Sequence, residues 1–141
     1  MASRHLSVRM SQSSYEKLEA LARSEGETVS ETARRLIEEG RRMAEHPGVV
    51  FRSGLNGRRA ALADGPQIWK VIDVFPEWDS SWDIKSTETI GATSVNAWQI
   101  MVAQRYYRSY PEEIDELIRW NREAADQAYA EWLQTQGAAA R

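Results

Sequence analysis

Two stretches decide the fold: His5-Leu6-Ser7-Val8-Arg9-Met10 and Gly26-Glu27-Thr28-Val29-Ser30-Glu31. Side chains alternate faces along an extended chain. Leu6, Val8 and Met10 therefore share one face, and His5, Ser7 and Arg9 share the other. That alternation predicts a half-buried strand. In the second stretch, Gly26 is the residue expected just past a helix end. Thr28 and Glu31 follow at capping-box spacing, each able to satisfy the other's backbone amide. Between the stretches, Ser11-Gln12-Ser13-Ser14 supplies N-cap residues. Tyr15, Leu18, Leu21 and Ala22 then recur at helical spacing, which predicts a helix to about Ser24.

Behind the capping box, Val29, Ala33, Leu36, Ile37, Gly40 and Met43 form the apolar stripe of a second helix. It should end near Ala44, because the residue before a proline leaves helical geometry and His46 precedes Pro47. On its outer face Glu31 with Arg35, and Glu38 with Arg42, are favourable i,i+4 pairs. Residues 1–46 thus read as one strand and two helices. A lone strand has two unpaired edges, and so short a segment buries too little surface for a secure core. Pairing with the same segment of a second chain solves both problems. Leu6, Val8 and Met10, with Leu36 and Ile37, would form the dimer core. The resulting two-stranded ribbon fits a DNA major groove, and its outer face carries His5, Ser7 and Arg9.

The order Ser7-Val8-Arg9-Met10, helix, Gly26-Glu27-Thr28-Val29-Ser30-Glu31, helix resembles the ribbon-helix-helix family of CopG-, Arc- and MetJ-type repressors and antitoxins. The match covers residues 4–44. It departs at Met10-Ser11, where many members carry an apolar residue followed by proline. The resemblance implies an intertwined homodimer on double-stranded operator DNA, with further dimers assembling beside it. His5, Ser7 and Arg9 would touch base edges, and Arg9 can grip guanine O6 and N7 with two donors. Thr28, Val29 and Ser30 would offer backbone amides to phosphate at a helix N-terminus, and Arg4 would add a phosphate contact. The plainer alternative is a frayed N-terminus before an ordinary helical hairpin.

His46-Pro47-Gly48 reads as a junction to a second domain, residues 47–136, with a frayed tail at 137–141. Val49 to Arg52 and Arg58 to Leu62 suggest a hairpin, with Asn56-Gly57 as its turn signal. Gly54-x-x-Gly57 lacks the Lys-Ser/Thr of a phosphate-binding loop. A helix is predicted after Asp64-Gly65-Pro66, with Ile68, Trp69, Val71, Ile72 and Phe75 inside and Pro76 at its end. A short helix over Asp83–Ile90 and a capped turn at Gly91–Ser94 would precede a helix with Ala97, Trp98, Met101, Val102 and Tyr106. Pro111 suits the first position of a long last helix, with Ile114, Leu117, Ile118, Ala125, Ala128, Tyr129 and Trp132 on its stripe. The fold class is therefore mainly α: a ribbon-helix-helix unit followed by a small helical, helix-turn-helix-like domain with a short hairpin.

His46-Pro47-Gly48-Val49-Val50-Phe51, Arg58-Arg59-Ala60-Ala61-Leu62 and Gln67-Ile68-Trp69-Lys70-Val71-Ile72 carry a second resemblance. With Arg105-Tyr106-Tyr107-Arg108-Ser109-Tyr110-Pro111-Glu112-Glu113-Ile114-Asp115, they resemble a small helix-turn-helix-like family of unknown function. Its members often occur beside antitoxin and toxin genes. As a reading helix, this domain would present Ser94, Asn96 and Gln99. All the tryptophans lie in this half. Trp69 and Trp98 are expected in the core, and Trp78, Trp82 and Trp132 are candidate protein-partner contacts, since exposed tryptophans anchor interfaces.

The 141 residues carry 18 Lys+Arg against 21 Asp+Glu, a formal net charge of −3. The balance is uneven: residues 1–46 are neutral, 47–75 slightly basic and 76–141 acidic. Overall acidity disfavours DNA binding unless one small face does the binding. No apolar run reaches the roughly 18 residues of a membrane helix, and the N-terminal residues do not read as a secretory signal. A cytoplasmic protein without membrane contact is expected. With no cysteine, thiolate chemistry and cysteine metal sites are excluded. Glu112, Glu113, Asp115 and Glu116 are consecutive on a helix and so point around it. No catalytic residue, metal or cofactor is expected, and no enzyme.

Taken together, the resemblances imply a sequence-specific repressor, the antitoxin of a type II toxin-antitoxin operon. It would repress its own promoter and neutralise a toxin, for example a PIN-domain ribonuclease, through its C-terminal half. The alternatives are a stand-alone ribbon-helix-helix regulator, whose second half senses a ligand, and a dimeric interaction adaptor that does not bind DNA.

Overall fold

The computed structural model describes residues 2–54, 57–77, 87–90 and 93–141, with the side chains of 87–90 and 93 left aside. The chain divides into two compact units, Met1–Arg42 and Met43–Arg141. The border falls inside a helix, ahead of the His46-Pro47-Gly48 junction. Trp78 and Trp82 lie outside the described residues.

The first unit holds α1 (Gln12–Glu25) and most of α2 (Val29–Glu45). Ser11 caps α1 by accepting from the Ser14 amide at 3.2 Å. Gly26 ends it with a φ of 68°, left-handed geometry that costs glycine little. Residues 2–10 carry no regular secondary structure, where the sequence predicts a strand. The reason is physical: a strand is held by hydrogen bonds to a neighbour, and every described strand of this chain pairs within its own hairpin. The ribbon-helix-helix arrangement is thus not formed within one chain.

In the second unit, β1 (Val49–Gly54) and β2 (Gly57–Leu62) pair antiparallel. Their register runs from Val49 opposite Leu62 to Gly54 opposite Gly57. Gly48 precedes β1 with a φ of 96°, and a Cβ there would sit 3.3 Å from Val102. Next come α3 (Ile68–Val74), a second hairpin of β3 (Thr87–Ile90) and β4 (Thr93–Asn96), α4 (Ala97–Ser109) and α5 (Pro111–Ala139). Of the short helix expected over Asp83–Ile90, residues 83–86 lie outside the described residues, and 87–90 form a strand instead. Thr87, Thr89, Ile90, Thr93 and Val95 are β-branched, and such residues lose rotamer freedom in a helix and fit a pleated surface. The α4 cap is Asn96, two residues past the expected Gly91–Ser94 turn. It accepts from the Gln99 amide at 2.9 Å, and Gln99 returns the bond to the Asn96 amide at 2.9 Å. A strand, and no helix, therefore leads into α4, which corrects the helix-turn-helix outline. At the other end, α5 continues through Gly137 to Ala139, so little remains of the expected tail.

One core organises this unit. Val49, Leu62, Ile68, Val71, Ile72, Val95, Ile100, Tyr106 and Ile114 are buried together, with Phe51, Trp69 and Leu117 packed against them. Trp69 meets its expectation; Trp98, at 55% exposed, does not. The stripe of α4 rotates so that Ile100, Ala103 and Tyr106 face inward, which leaves Trp98 on the outside. The Arg52 guanidinium staples the turn after β2, donating to the carbonyls of Leu62, Ala63 and Gly65 at 2.7, 2.9 and 2.8 Å. Tyr106 donates its hydroxyl to Glu113 at 2.8 Å, tying α4 to the first turn of α5.

Ile114→Ala is expected to cost about 2–5 kcal/mol, since it opens a cavity in this core. Trp98→Ala should change stability by no more than about 0.5 kcal/mol. Urea unfolding of both variants checks the assignment of inside and outside.

Candidate nucleic-acid interface

The N-terminal segment is exposed along its whole length. Leu6, Val8 and Met10 are 66%, 63% and 47% exposed. Burying one such side chain is worth about 1.5–3 kcal/mol, so this row is a sizeable unclaimed driving force. The rest of the unit offers it no cover. Tyr15, Leu21, Leu36 and Ile37 are exposed as well, and Ala22 is the one apolar side chain there that is buried. Every residue expected in the dimer core is thus apolar and uncovered in the single chain. His5, Ser7 and Arg9 alternate with that row, and Arg4 precedes it. Arg4 and Arg9 make no hydrogen bond or ion pair among the described residues.

The start of α2 is built as the sequence predicts. Thr28 Oγ1 accepts from the Glu31 amide at 3.1 Å, and the Glu31 carboxylate accepts from the Thr28 amide at 2.8 Å. These bonds hold the Glu31 carboxyl below its ordinary pKa of 4.5, with the Thr28 amide the main cause. They also correct one expected contact. The Thr28 amide is already used, so it has no donor for phosphate. The amides of Val29 and Ser30 remain first-turn donors without an intrahelical acceptor. The Glu31 carboxylate beside them opposes an incoming anion and partly offsets the helix dipole.

A second polar set locks the turn before α2, and spacing rules missed it. Glu27 accepts from the Thr32 hydroxyl at 3.0 Å and from Arg35 Nε at 3.2 Å. Arg35 also meets Glu39 at 3.7 Å. The expected Glu31–Arg35 pair is replaced by these partners, because Glu31 is committed to the cap. Glu38 does pair with Arg42, at 3.1 Å, and also with Arg41, at 2.6 Å. Glu27 lies just ahead of the α2 cap and its partners five and eight residues on, outside any i,i+4 pattern.

In the second unit, the expected reading residues do not share a helix: Ser94 and Asn96 are exposed but lie on β4, ahead of α4. Gln99 is buried, shared between the cap and Asp64 Oδ1 at 3.1 Å. Instead, a groove of about 490 Å³ runs between the first hairpin and α5, lined by Phe51, Arg58, Arg59, Glu113, Arg119 and Trp120. A smaller hollow of about 170 Å³ shares Arg59 and Trp120 and adds Trp69 and Lys70. The acids of α5 are here interleaved with arginines, so the groove is mixed in sign. Among the described residues, no three His, Asp or Glu side chains gather as metal ligands. Nor is any helix among them long and apolar enough to cross a membrane.

No family model, no curated protein and no solved structure matches the chain.

The capping box gives a pH-dependent outcome. Its contribution is fully present above pH 4.5, the ordinary value, and is lost as pH falls through the lowered pKa of Glu31. Thermal melts from pH 6 to about pH 3 should show the midpoint falling faster in wild type than in Glu31→Gln. Parallel curves would remove the cap from the account.

Proposed function

We propose that the chain is a sequence-specific DNA-binding repressor that dimerises through residues 5–10. The observation that carries this reading is the alternating N-terminal segment. Its apolar face, Leu6, Val8 and Met10, is left uncovered, as are Leu36 and Ile37 of α2. A second copy covers both at once and supplies the missing strand partner. The ribbon then turns His5, Ser7 and Arg9 outward toward base edges in the major groove. Arg4 and the free amides of Val29 and Ser30 contact the phosphates.

The setting we infer is an antitoxin that represses its own operon. The surface we assign to the toxin is the mixed-charge groove with Trp120 exposed at its edge. A partner that places both signs of charge across that groove fits it better than a uniformly basic one. Trp78 and Trp82 stay candidate contacts on sequence grounds.

Fluorescence anisotropy on labelled DNA from upstream of the chain's own gene, against scrambled competitor, tests the reading. Wild type should prefer its own site, with binding that weakens steeply as salt rises. Arg9→Ala should cost about 1–3 kcal/mol on that site and relax its sequence preference. Val8→Asp should abolish binding to every sequence, because it separates the dimer. Equal affinity of wild type for both DNAs would leave the ribbon as a dimerisation device alone.

A further inference from the structure

Past its first turns, α5 leaves the core behind. Ile114 is buried and Leu117 and Ile118 pack on the core, whereas every residue from Arg122 onward is exposed. Yet this outer half is not uniformly polar. Tyr129, Trp132 and Leu133 are 62%, 53% and 47% exposed. At 3.6 residues per turn, Tyr129 and Trp132 lie along the face that Ile114 and Ile118 bury further back, with Leu133 at its edge. Ala125 and Ala128 share that face, and Ala124 lies at the opposite edge. The rings of Tyr129 and Trp132 stack with centroids 5.9 Å apart.

The spacing is self-complementary. In an antiparallel helix pair, residues meet when their numbers add to a constant. With the two-fold axis between Ala128 and Tyr129, Ala128 faces Tyr129 of the copy, Ala125 faces Trp132 and Ala124 faces Leu133. Asn121 faces Gln136, amide against amide. Each large side chain meets an alanine, as close packing requires. A parallel pair would set Trp132 on Trp132 and leave gaps at the alanines.

We propose that the outer half of α5 docks antiparallel on the same segment of a second copy of this chain. The area defines the strength of the contact. Two aromatics and a leucine bring roughly 400–500 Å² per copy, so the pair falls short of the roughly 1,200–2,000 Å² of a stable interface. The contact therefore works between chains already joined through their N-terminal units, where tethering raises the effective concentration to the millimolar range. To that extent it rests on the dimer reading above. Charge sets the salt response. Glu123 falls on the outer face and Asp126 and Glu131 on the two flanks, where the register sets Asp126 opposite Glu131 of the copy, while Arg122 is engaged by Asp73, so screening by salt tightens the pair. A basic protein partner on this face would be weakened by salt instead.

The chain has no cysteine, so single cysteines in the full chain report directly. Under mild oxidation, Ala128→Cys should give a disulfide-linked dimer and Gln136→Cys should not. An equimolar mixture of Asn121→Cys and Gln136→Cys should link across the two variants. Adding Trp132→Glu to Ala128→Cys should lower linkage about tenfold, with unchanged helix content by circular dichroism. Added salt should raise linkage. Equal linkage at 128 and 136 would overturn the proposal in favour of a parallel pair or random collision. No linkage at 128 in a chain that sediments as a dimer would overturn it too, and would assign the face to another occupant. Val8→Asp separates the two readings: it should dilute linkage and keep the preference for 128 over 136. Linkage without DNA binding would remove the repressor reading and leave this contact standing.

Discussion

Forty-odd residues with their apolar side chains on the outside cannot be a finished structure. The first unit has two well-formed helices, each capped, and a segment whose alternation is that of a strand. Among its described residues it forms no strand, and Ala22 is its one buried apolar side chain. Everything functional in this half depends on where the apolar face of residues 6–10 goes. If it pairs with itself, the same event creates a core, satisfies a row of backbone amides and carbonyls, and sets a polar row on the opposite face. Folding, dimerisation and display of the reading residues are then a single step, because none of them has a driving force without the others.

The second unit is different in kind. Its core closes within one chain, and its polar groups serve that closure. Arg52 is spent on three turn carbonyls, Gln99 on a helix start and on Asp64, and Tyr106 on Glu113. A residue committed in this way is poorly placed to meet a ligand. This is why the groove beside α5, where Arg59, Arg119 and Trp120 keep exposed surface, carries more functional weight than the start of α4.

The sequence was legible where local chemistry decides the outcome. Gly26, the Thr28–Glu31 box, the Val49–Leu62 hairpin and Pro111 each fix a backbone state through neighbours a few residues away, and each was readable. It was less legible where distant packing decides. Trp98 fits a helical stripe, but the stripe's inward angle is set by Ile100 and Tyr106 against the hairpin and α3. Residues 87–96 mixed turn signals with β-branched side chains, and the pairing of two strands outweighed a weak helical pattern. For the N-terminal segment, the alternation was readable, but the strand it predicts is not formed in the single chain, because a strand needs a partner outside it. The loss of the Thr28 amide was not readable, because it depends on which group reaches that donor first.

The uncovered N-terminal segment also bears on how long the chain survives. Proteases cut most readily where exposed backbone carries no regular structure, and residues 2–10 are such a segment, with two arginines in it. If the segment pairs with a second copy, as proposed above, the same pairing would withdraw that site. Turnover would then depend on concentration, with scarce chains cleared first and abundant ones persisting.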